Sequence, residues 1–303
     1  MRVSHPRTLA EAEALIATGA RAVVGGTGHQ FRWSQGQTRP DHLVNIGPIL
    51  PNGINGLTIG AGTSLEDIRH AGLPLLSQAC RDVGAPNIRR LATLGGNIGF
   101  GAGCLIPALL ALDAELNTTR GPRPLRDHLR DPKGLILSMT LRPLDRSIWR
   151  KIGLRAAFTP AMIVSAGTLA SQDGRITDLR LSVGGGIVAP QRLTEVETWL
   201  IGQVLTKVDM ADLETRVFAA IDAPSCAFRS AGYRKRVAAK VISHGLLGPG
   251  LKTHCPKTLR PSPTPPLALA ALSRQGGGDR WHTRPDMPAK VRGALPYLTD
   301  VRA

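Results

Sequence analysis

The stretch "RLATLGGNI", residues 90–98, sets two adjacent glycines among apolar residues, with Thr93 before them and Asn97 after. A second stretch, "RAVVGGTGHQ", residues 21–30, breaks an apolar run in the same way about seventy positions earlier. Glycine leaves room for a phosphate oxygen to reach the main chain. It also permits the positive φ angles that turn successive N–H groups toward one concavity. Each hydrogen bond to a charged phosphate contributes roughly 1.5–3 kcal/mol. Two such stretches, with Thr27, Thr93 and Asn97 as side-chain donors beside the amides, have the chemistry to hold a diphosphate without a dedicated basic residue. Each Gly-Gly is equally able to be an ordinary turn. "GGTGHQ" has neither the G-x-G-x-x-G spacing nor the acidic residue of a Rossmann site, and no P-loop motif occurs. From spacing alone, cofactor site and paired turns both stay open.

Outward from these stretches the chain alternates β and α up to about residue 147. "TLAEAEALIATG" puts Leu9, Ala12, Leu15 and Ile16 on one helical face, with Thr8 as N-cap and Gly19 as stop. "RAVVGG", "HLVNIG" and "GLTIGAG" read as strands. "SLEDIRHAGLPLLSQACRDVG" reads as helical, capped by Ser64 and reopened at Pro74. "IPALLALDAELN" reads as a buried helix passing into a strand at Ala114, and "GLILSMTLRPL" as a strand. From Trp149 the texture changes to strands joined at "SQDGR", then the helices "QRLTEVETWLIGQ", "DMADLETRVFAAI" and "SAGYRKRVAAKVI", the last with Tyr233, Val237 and Val241 as its apolar stripe. Past Ser243 the proline-rich "GPGLKTHCPKTLRPSPTPP" reads as a linker.

With 303 residues and 42% hydrophobic content the chain can bury a full core divided into two or three units. No apolar run reaches membrane-spanning length. Glu11 and Glu13 interrupt what a signal peptide would need as an apolar core, so the expected compartment is the cytoplasm. Cys80, Cys104, Cys226 and Cys255 are widely separated with no C-x-x-C pair, which excludes a local zinc or iron–sulfur motif. The formal charge of +16 is spread along the chain, only eight of the 38 basic residues are Lys, and no basic block interleaves with aromatics. Scattered solvated charge is therefore expected, rather than a nucleic-acid surface. His5, His29, His42, His70 and His128 are scattered, and no Ser-His-Asp set stands out, so neither a catalytic nor a metal-ligating residue is assigned.

"VVGGTGH" (Val23 to His29), "ATLGGNI" (Ala92 to Ile98) and "PALLALDA" (Pro107 to Ala114) follow one another in the order and spacing of the FAD-binding (medium) subunits of the molybdenum hydroxylases. That is the xanthine dehydrogenase and carbon monoxide dehydrogenase flavoprotein family. "KIGLR", "AMIVSAG", "DGRITDLRLSVGGGIVAPQRLTEVETWLIG" and "SAGYRKRVA" extend the resemblance, which covers about residues 4 to 244. It implies an α+β fold: a two-lobed FAD-binding domain of the PCMH type built from mixed α/β subdomains, then a smaller α+β C-terminal domain. The boundaries expected are 1–147 for the first domain (subdomains about 1–55 and 56–147), 148–244 for the second and 245–303 for linker and tail.

Carried over position by position, the resemblance assigns Val23, Val24, Gly25, Gly26, Thr27, Gly28 and His29 to a first FAD loop. Thr93, Gly95, Gly96 and Asn97 form a second, and a branched side chain at Gly95 is expected to obstruct the diphosphate. Ile136 or Leu137 matches an apolar contact to the cofactor, and Lys151 a lysine near the flavin. Three positions depart from the pattern: Cys104 stands where an aspartate usually contacts FAD, His29 and Gln30 replace a smaller polar and an apolar residue, and Leu135 replaces a frequent glutamate.

The resemblance further implies FAD on this chain, with molybdopterin on a large partner subunit and [2Fe–2S] clusters on a small one. Electrons would pass from the clusters through FAD to an acceptor, NAD⁺, oxygen, quinone or another carrier. "RPDMPAKVRGALPYLTD", residues 284–300, resembles the opening of the molybdenum-cofactor subunit through Arg284, Asp286, Lys290, Val291, Gly293, Tyr297 and Asp300. It suggests a chain derived from a fusion of the two subunits. Two alternatives remain at this stage: a flavin-free assembly or binding subunit that kept the fold, and a flavin reductase of the kind that makes UDP-N-acetylmuramate, or a related oxidase.

Overall fold

The computed structural model describes residues 1–153, 159–248 and the strand Lys252–Thr253, all within one compact unit. The resemblance of residues 284–300 to a molybdenum subunit falls outside them.

The first lobe is a small parallel sheet of β1 (Arg2–Ser4), β2 (Arg21–Val23) and β3 (His42–Asn45), in the order β1-β3-β2. Between β1 and β2 runs α1 (Leu9–Ala17), where Thr8 Oγ1 accepts the Glu11 amide at 3.2 Å and Gly19 ends the helix at φ +94°. The cap and stop are those expected from "TLAEAEALIATG". After β2 comes α2 (Thr27–Ser34), which the sequence reading left as loop. Ala12, Ala20, Val44, Ile46, Leu50 and Ala61 form the lobe's core, with Leu135, Ile136 and Leu137 packed against it.

The second lobe holds β4 (Ile54–Asn55), β5 (Thr58–Gly60), α3 (Leu65–His70), α4 (Pro74–Arg81), α5 (Pro86–Leu91), α6 (Leu94–Gly99), α7 (Ile106–Ala111), β6 (Glu115–Thr118), β7 (Gly121–Pro124), α8 (Leu125–Arg130) and β8 (Ile136–Thr140). Its sheet runs β4-β5-β8-β6-β7, antiparallel throughout. Ser64 caps α3, and Pro74 opens α4 as expected. The "TLGGNI" stretch, however, is the one-and-a-half-turn helix α6, and it follows helix α5 rather than an apolar strand. Asn97 and Thr93 make the difference. Thr93 caps the helix, and Asn97 Oδ1 takes the Leu105 amide at 3.3 Å, so the glycines are held in helical geometry by side chains outside the pair.

The third part is an antiparallel sheet of β9 (Arg146–Gly153), β10 (Ala161–Gln172), β11 (Arg175–Gly185), β12 (Val188–Arg192) and β13 (Lys252–Thr253), ordered β12-β11-β10-β9-β13. α9 (Thr194–Leu200) and α11 (Ala231–Leu247) cover it, and α10 (Met210–Ala220) packs on those two helices. The buried stripe of α11 includes Arg234, Ala238, Ile242 and Leu246, one position on from the expected Tyr233, Val237 and Val241, and Tyr233 is exposed. A long arginine buried through its own hydrogen bonds takes the position that an apolar residue was expected to fill.

All six residues of α7 are buried, and the helix lies on β10, β11 and β12. The sheet satisfies its carbonyls: Thr168 Oγ1 donates to Ala111 O at 2.9 Å, Ser182 Oγ to Pro107 O at 2.5 Å, and Arg192 Nη1 to Leu110 O at 3.3 Å. A helix end left unpaired in such a core is costly; here the second domain's side chains close it.

Candidate functional site

Gly25 lies between β2 and α2, against the end of α5. A Cβ there would stand 1.7 Å from the Leu91 carbonyl oxygen, so only glycine allows these two backbones to meet. On the far side, a Cβ on Gly28 would reach 3.0 Å from the Phe100 ring. Arg32 Nη2 donates to Phe100 O at 2.8 Å, and its guanidinium lies 4.7 Å from that ring's centre. The first glycine stretch thus meets the second at Leu91, α2 packs on Phe100 just beyond it, and the two bends face a common region.

A hollow of about 630 Å³ opens there, within the roughly 300–1,000 Å³ of small-molecule sites. Val24 and Gly25 line it from the first stretch, and Leu91 and Thr93 from the second. Gly47 and Pro48 after β3, Ser64, Glu66 and Asp67 at the start of α3, and Asn52, Gly62 and Arg90 form the rest of the wall.

The two stretches differ in the amides they offer. Gly26 caps α2 from the left-handed region, φ +69°, and has no side chain to take a first-turn N–H. Among the described residues no acceptor takes the amides of Gly25, Gly26, Thr27, Gly28 or His29. Five consecutive N–H groups at a helix start, one of them on a left-handed glycine, form the kind of concavity that binds an anion.

In the second stretch the amides are occupied. Leu94 N donates to Thr63 O at 3.0 Å, Gly95 N to Ala61 O at 2.9 Å, Gly96 N to Thr93 Oγ1 at 3.2 Å and Asn97 N to Thr93 O at 2.9 Å. The direction in which Gly95 lacks a side chain faces Ala61, whose Cβ lies 2.9 Å from a Cβ built there. Gly95 therefore lets α6 pack on the β5–α3 turn. The expectation that a branched residue at Gly95 would meet a diphosphate is corrected: it would meet Ala61. What the second stretch still offers is the Thr93 hydroxyl hydrogen, since its oxygen already accepts the Gly96 amide.

His29 turns its ring back, Nε2 lying 3.0 Å from Ala22 O and the ring 5.8 Å from that of Trp33. Val23 ends β2 and is half-buried. Ile136 and Leu137 begin β8 at the junction of the lobes, where Leu137 O accepts the Ala61 amide at 2.8 Å.

Cys104 and Lys151 do not line the hollow; they neighbour each other at the seam with the C-terminal sheet. Lys151 Nζ donates to Asp82 O at 2.5 Å, and Trp149 Nε1 to Asp82 Oδ2 at 2.6 Å. Burial pushes the Cys104 thiol up, against the lowering effect of the Lys151 charge. A neutral thiol there is a poor replacement for a carboxylate acceptor.

Glu66 was not singled out by the sequence reading. It receives Arg89 Nε at 2.6 Å and Arg69 Nη2 at 2.8 Å, and the Arg89 hydrogen bond above all holds its carboxyl at about 2, against burial. Buried Arg89 also donates to Gly84 O at 2.8 Å, fixing the approach to α5 and so the Leu91 carbonyl that Gly25 abuts. No local motif signals this pair, because its partners are 23 residues apart.

Residues 1–133 match the family model described as the FAD binding domain in molybdopterin dehydrogenase, and residues 151–247 match the CO dehydrogenase flavoprotein C-terminal domain. The chain belongs to the flavoprotein medium subunits of the molybdenum hydroxylases. This flavoprotein is 28% identical over 223 residues to the glyceraldehyde dehydrogenase medium chain of Sulfolobus acidocaldarius, covering 65% of this chain and 79% of that one. It is 27% identical over 265 residues to the 6-hydroxypseudooxynicotine dehydrogenase complex subunit alpha of Paenarthrobacter nicotinovorans, covering 77% and 88%. Its fold superposes on a chain of the CO dehydrogenase from Oligotropha carboxidovorans with a TM-score of 0.71, at 21% identity, over 80% of this chain and 95% of that one.

The family implies FAD, and the residues fit it. The five unoccupied amides, the left-handed Gly26 and the Gly25–Leu91 contact make a concavity suited to a diphosphate. The flavoprotein is an oxidoreductase subunit with FAD as its cofactor, and it adopts the α+β fold of an FAD-binding domain followed by a flavoprotein C-terminal domain.

Proposed function

We propose that this flavoprotein serves as the relay of a three-subunit molybdenum hydroxylase, with the amides of Gly25 to His29 and the Thr93 hydroxyl holding the diphosphate of FAD. The observation that carries the reading is the row of five N–H groups without acceptors beside a hollow that both glycine stretches border. Bound FAD supplies a centre that takes electrons singly and gives them up as a pair. The chain's own contribution is position: Gly25 sets the distance between the lobes, Arg32 and Phe100 fix α2, and Lys151, on the domain that would close over the flavin, meets Cys104 across the seam.

In this reading Gly95, Gly96 and Asn97 build the platform under Thr93, and Ile136 or Leu137 supplies an apolar wall. The domain limits proposed are 1–147 and 148–244, and the relatives named as medium chain and complex subunit support partner subunits, which in this reading bear molybdopterin and [2Fe–2S] clusters. NAD⁺ is the proposed acceptor and the cytoplasm the proposed compartment, in keeping with the free thiols of Cys80 and Cys104. No helix among the described residues is long and apolar enough to cross a membrane.

The test uses the complex purified from its native source. Substrate added without oxygen should bleach the two-band flavin spectrum, and NAD⁺ should restore it. A complex with metal centres but no flavin would leave the chain an assembly subunit. Recovery with oxygen or quinone but not NAD⁺ would replace the acceptor alone.

A further inference from the structure

Cys226 lies in the exposed turn between α10 and α11, where Cys226 N donates to Arg229 O at 2.9 Å and Arg229 N to Cys226 O at 3.2 Å. Beneath it, in the first turns of α11, Arg234 is 4% exposed. Its Nη1 donates to Met162 O on β10, and its Nη2 donates to Cys226 Sγ at 2.9 Å. The Nε–H is buried and has no acceptor among the described residues. In a planar guanidinium Nε–H and one Nη2–H point along the same edge. Nη2, which meets the sulfur, thus borders an edge that carries a second donor, unused. An unpaired buried donor is rare enough in a folded chain to need a reason.

We propose that Cys226 is a site of oxidation by hydrogen peroxide, with Arg234 receiving the oxygen that the sulfur gains. The thiolate attacks one peroxide oxygen, an S–O bond forms as the O–O bond breaks, and hydroxide leaves to become water. Sulfur loses two electrons and peroxide gains them. The sulfenate oxygen then accepts Nε–H while Nη2 keeps its place on the sulfur side. A mixed disulfide would place a sulfur, a weak acceptor, rather than an oxygen on Cys226 Sγ, which is why peroxide fits the vacant donor better than a small disulfide does.

The surroundings suit a thiolate. The Phe228 amide first, then the Arg229 amide and the Arg234 guanidinium, draw the Cys226 thiol below its ordinary range. Cys80 is the opposite case, buried and pushed up to about 12, and burial raises Cys104 as well. Thiolate character and exposure together decide which cysteine oxidises first. The inference is independent of the flavin reading, since it uses none of the residues assigned to FAD.

The experiment exposes the full-length protein to equimolar hydrogen peroxide with dimedone present and maps adducts by peptide mass spectrometry. The adduct is expected on Cys226, at least tenfold above Cys80 and Cys104, and it should fall tenfold or more in a folded Arg234→Lys variant, which keeps the charge and loses the fork. The unaltered protein gives a second readout: iodoacetamide alkylation of Cys226 against pH should turn over below the roughly 8.5 of a free cysteine. If Arg234→Lys does not fold, that profile and the adduct map decide. Absence of an adduct at Cys226, equal trapping in folded Arg234→Lys, or a turnover at or above the free-cysteine value would each overturn the proposal.

Discussion

Gly25 and Gly26 are adjacent, yet the structure asks different things of them. Gly26 needs its left-handed φ of +69°, and a Cβ there would meet Val23 Cγ2 only at an ordinary 3.8 Å, whereas Gly25 needs the room that a Cβ would take from Leu91 O. Gly26→Ala should therefore cost about 1 kcal/mol and leave a folded protein that still binds flavin. Gly25→Ala should cost about 3 kcal/mol, part the lobes and lose flavin on gel filtration. Melting curves and the flavin-to-protein absorbance ratio check both; equal behaviour of the two variants would contradict the contact. Glu66 gives a pH prediction. Its carboxyl is lowered from 4.5 to about 2 in the folded chain, chiefly by Arg89, so the stability it contributes is complete above about 4.5 and lost as pH falls toward 2. Glu66→Gln should flatten that part of the acid-melting profile and lower stability at neutral pH by about 3 kcal/mol, since buried Arg89 loses its counter-charge. A variant with the parent's profile between those values would show that the pair does not matter.

At the scale of elements, the cap on α6 is the sharpest test. Thr93→Ala removes the acceptor of the Gly96 amide and should cost about 1 kcal/mol, and Thr93→Ser should restore it. If the hydroxyl also donates to the cofactor, Ala but not Ser lowers FAD affinity, which fluorescence titration measures. α1, α3 and α4 were readable from Thr8, Ser64 and Pro74, because caps and proline breaks act within three or four residues. α2 and α6 were not. Glycine-rich segments have low intrinsic helicity, and beyond the Thr93 cap of α6 what makes these two helical is distant: Phe100 under Gly28, Ala61 under Gly95 and Leu105 on Asn97. The site shows the same division. The glycines were legible from their pairing, while which amides stay free depends on Thr63 and Ala61, some thirty residues away. The Glu66–Arg89 pair and the Arg32–Phe100 brace carry no local pattern at all.

Across the whole molecule, α7 ties the FAD-binding domain to the C-terminal sheet. Thr168→Val keeps the shape but leaves the Ala111 carbonyl without its donor in a buried seam, which should cost about 1–3 kcal/mol in urea unfolding. An unchanged midpoint would mean that the seam does not depend on that bond. The same seam carries Trp149 and Lys151 onto Asp82, so the domain that would close over the flavin is fixed to the helices leading into the Gly25 contact. The account as a whole rests on main-chain N–H groups gripping a diphosphate. Titrating the full-length apoprotein with FAD and, separately, with riboflavin, which carries the same ring system without any phosphate, tests this most directly. One FAD per chain is predicted, with riboflavin binding at least a hundredfold more weakly, a difference of roughly 2.7 kcal/mol. Riboflavin binding as tightly as FAD, or no uptake of FAD, would contradict it.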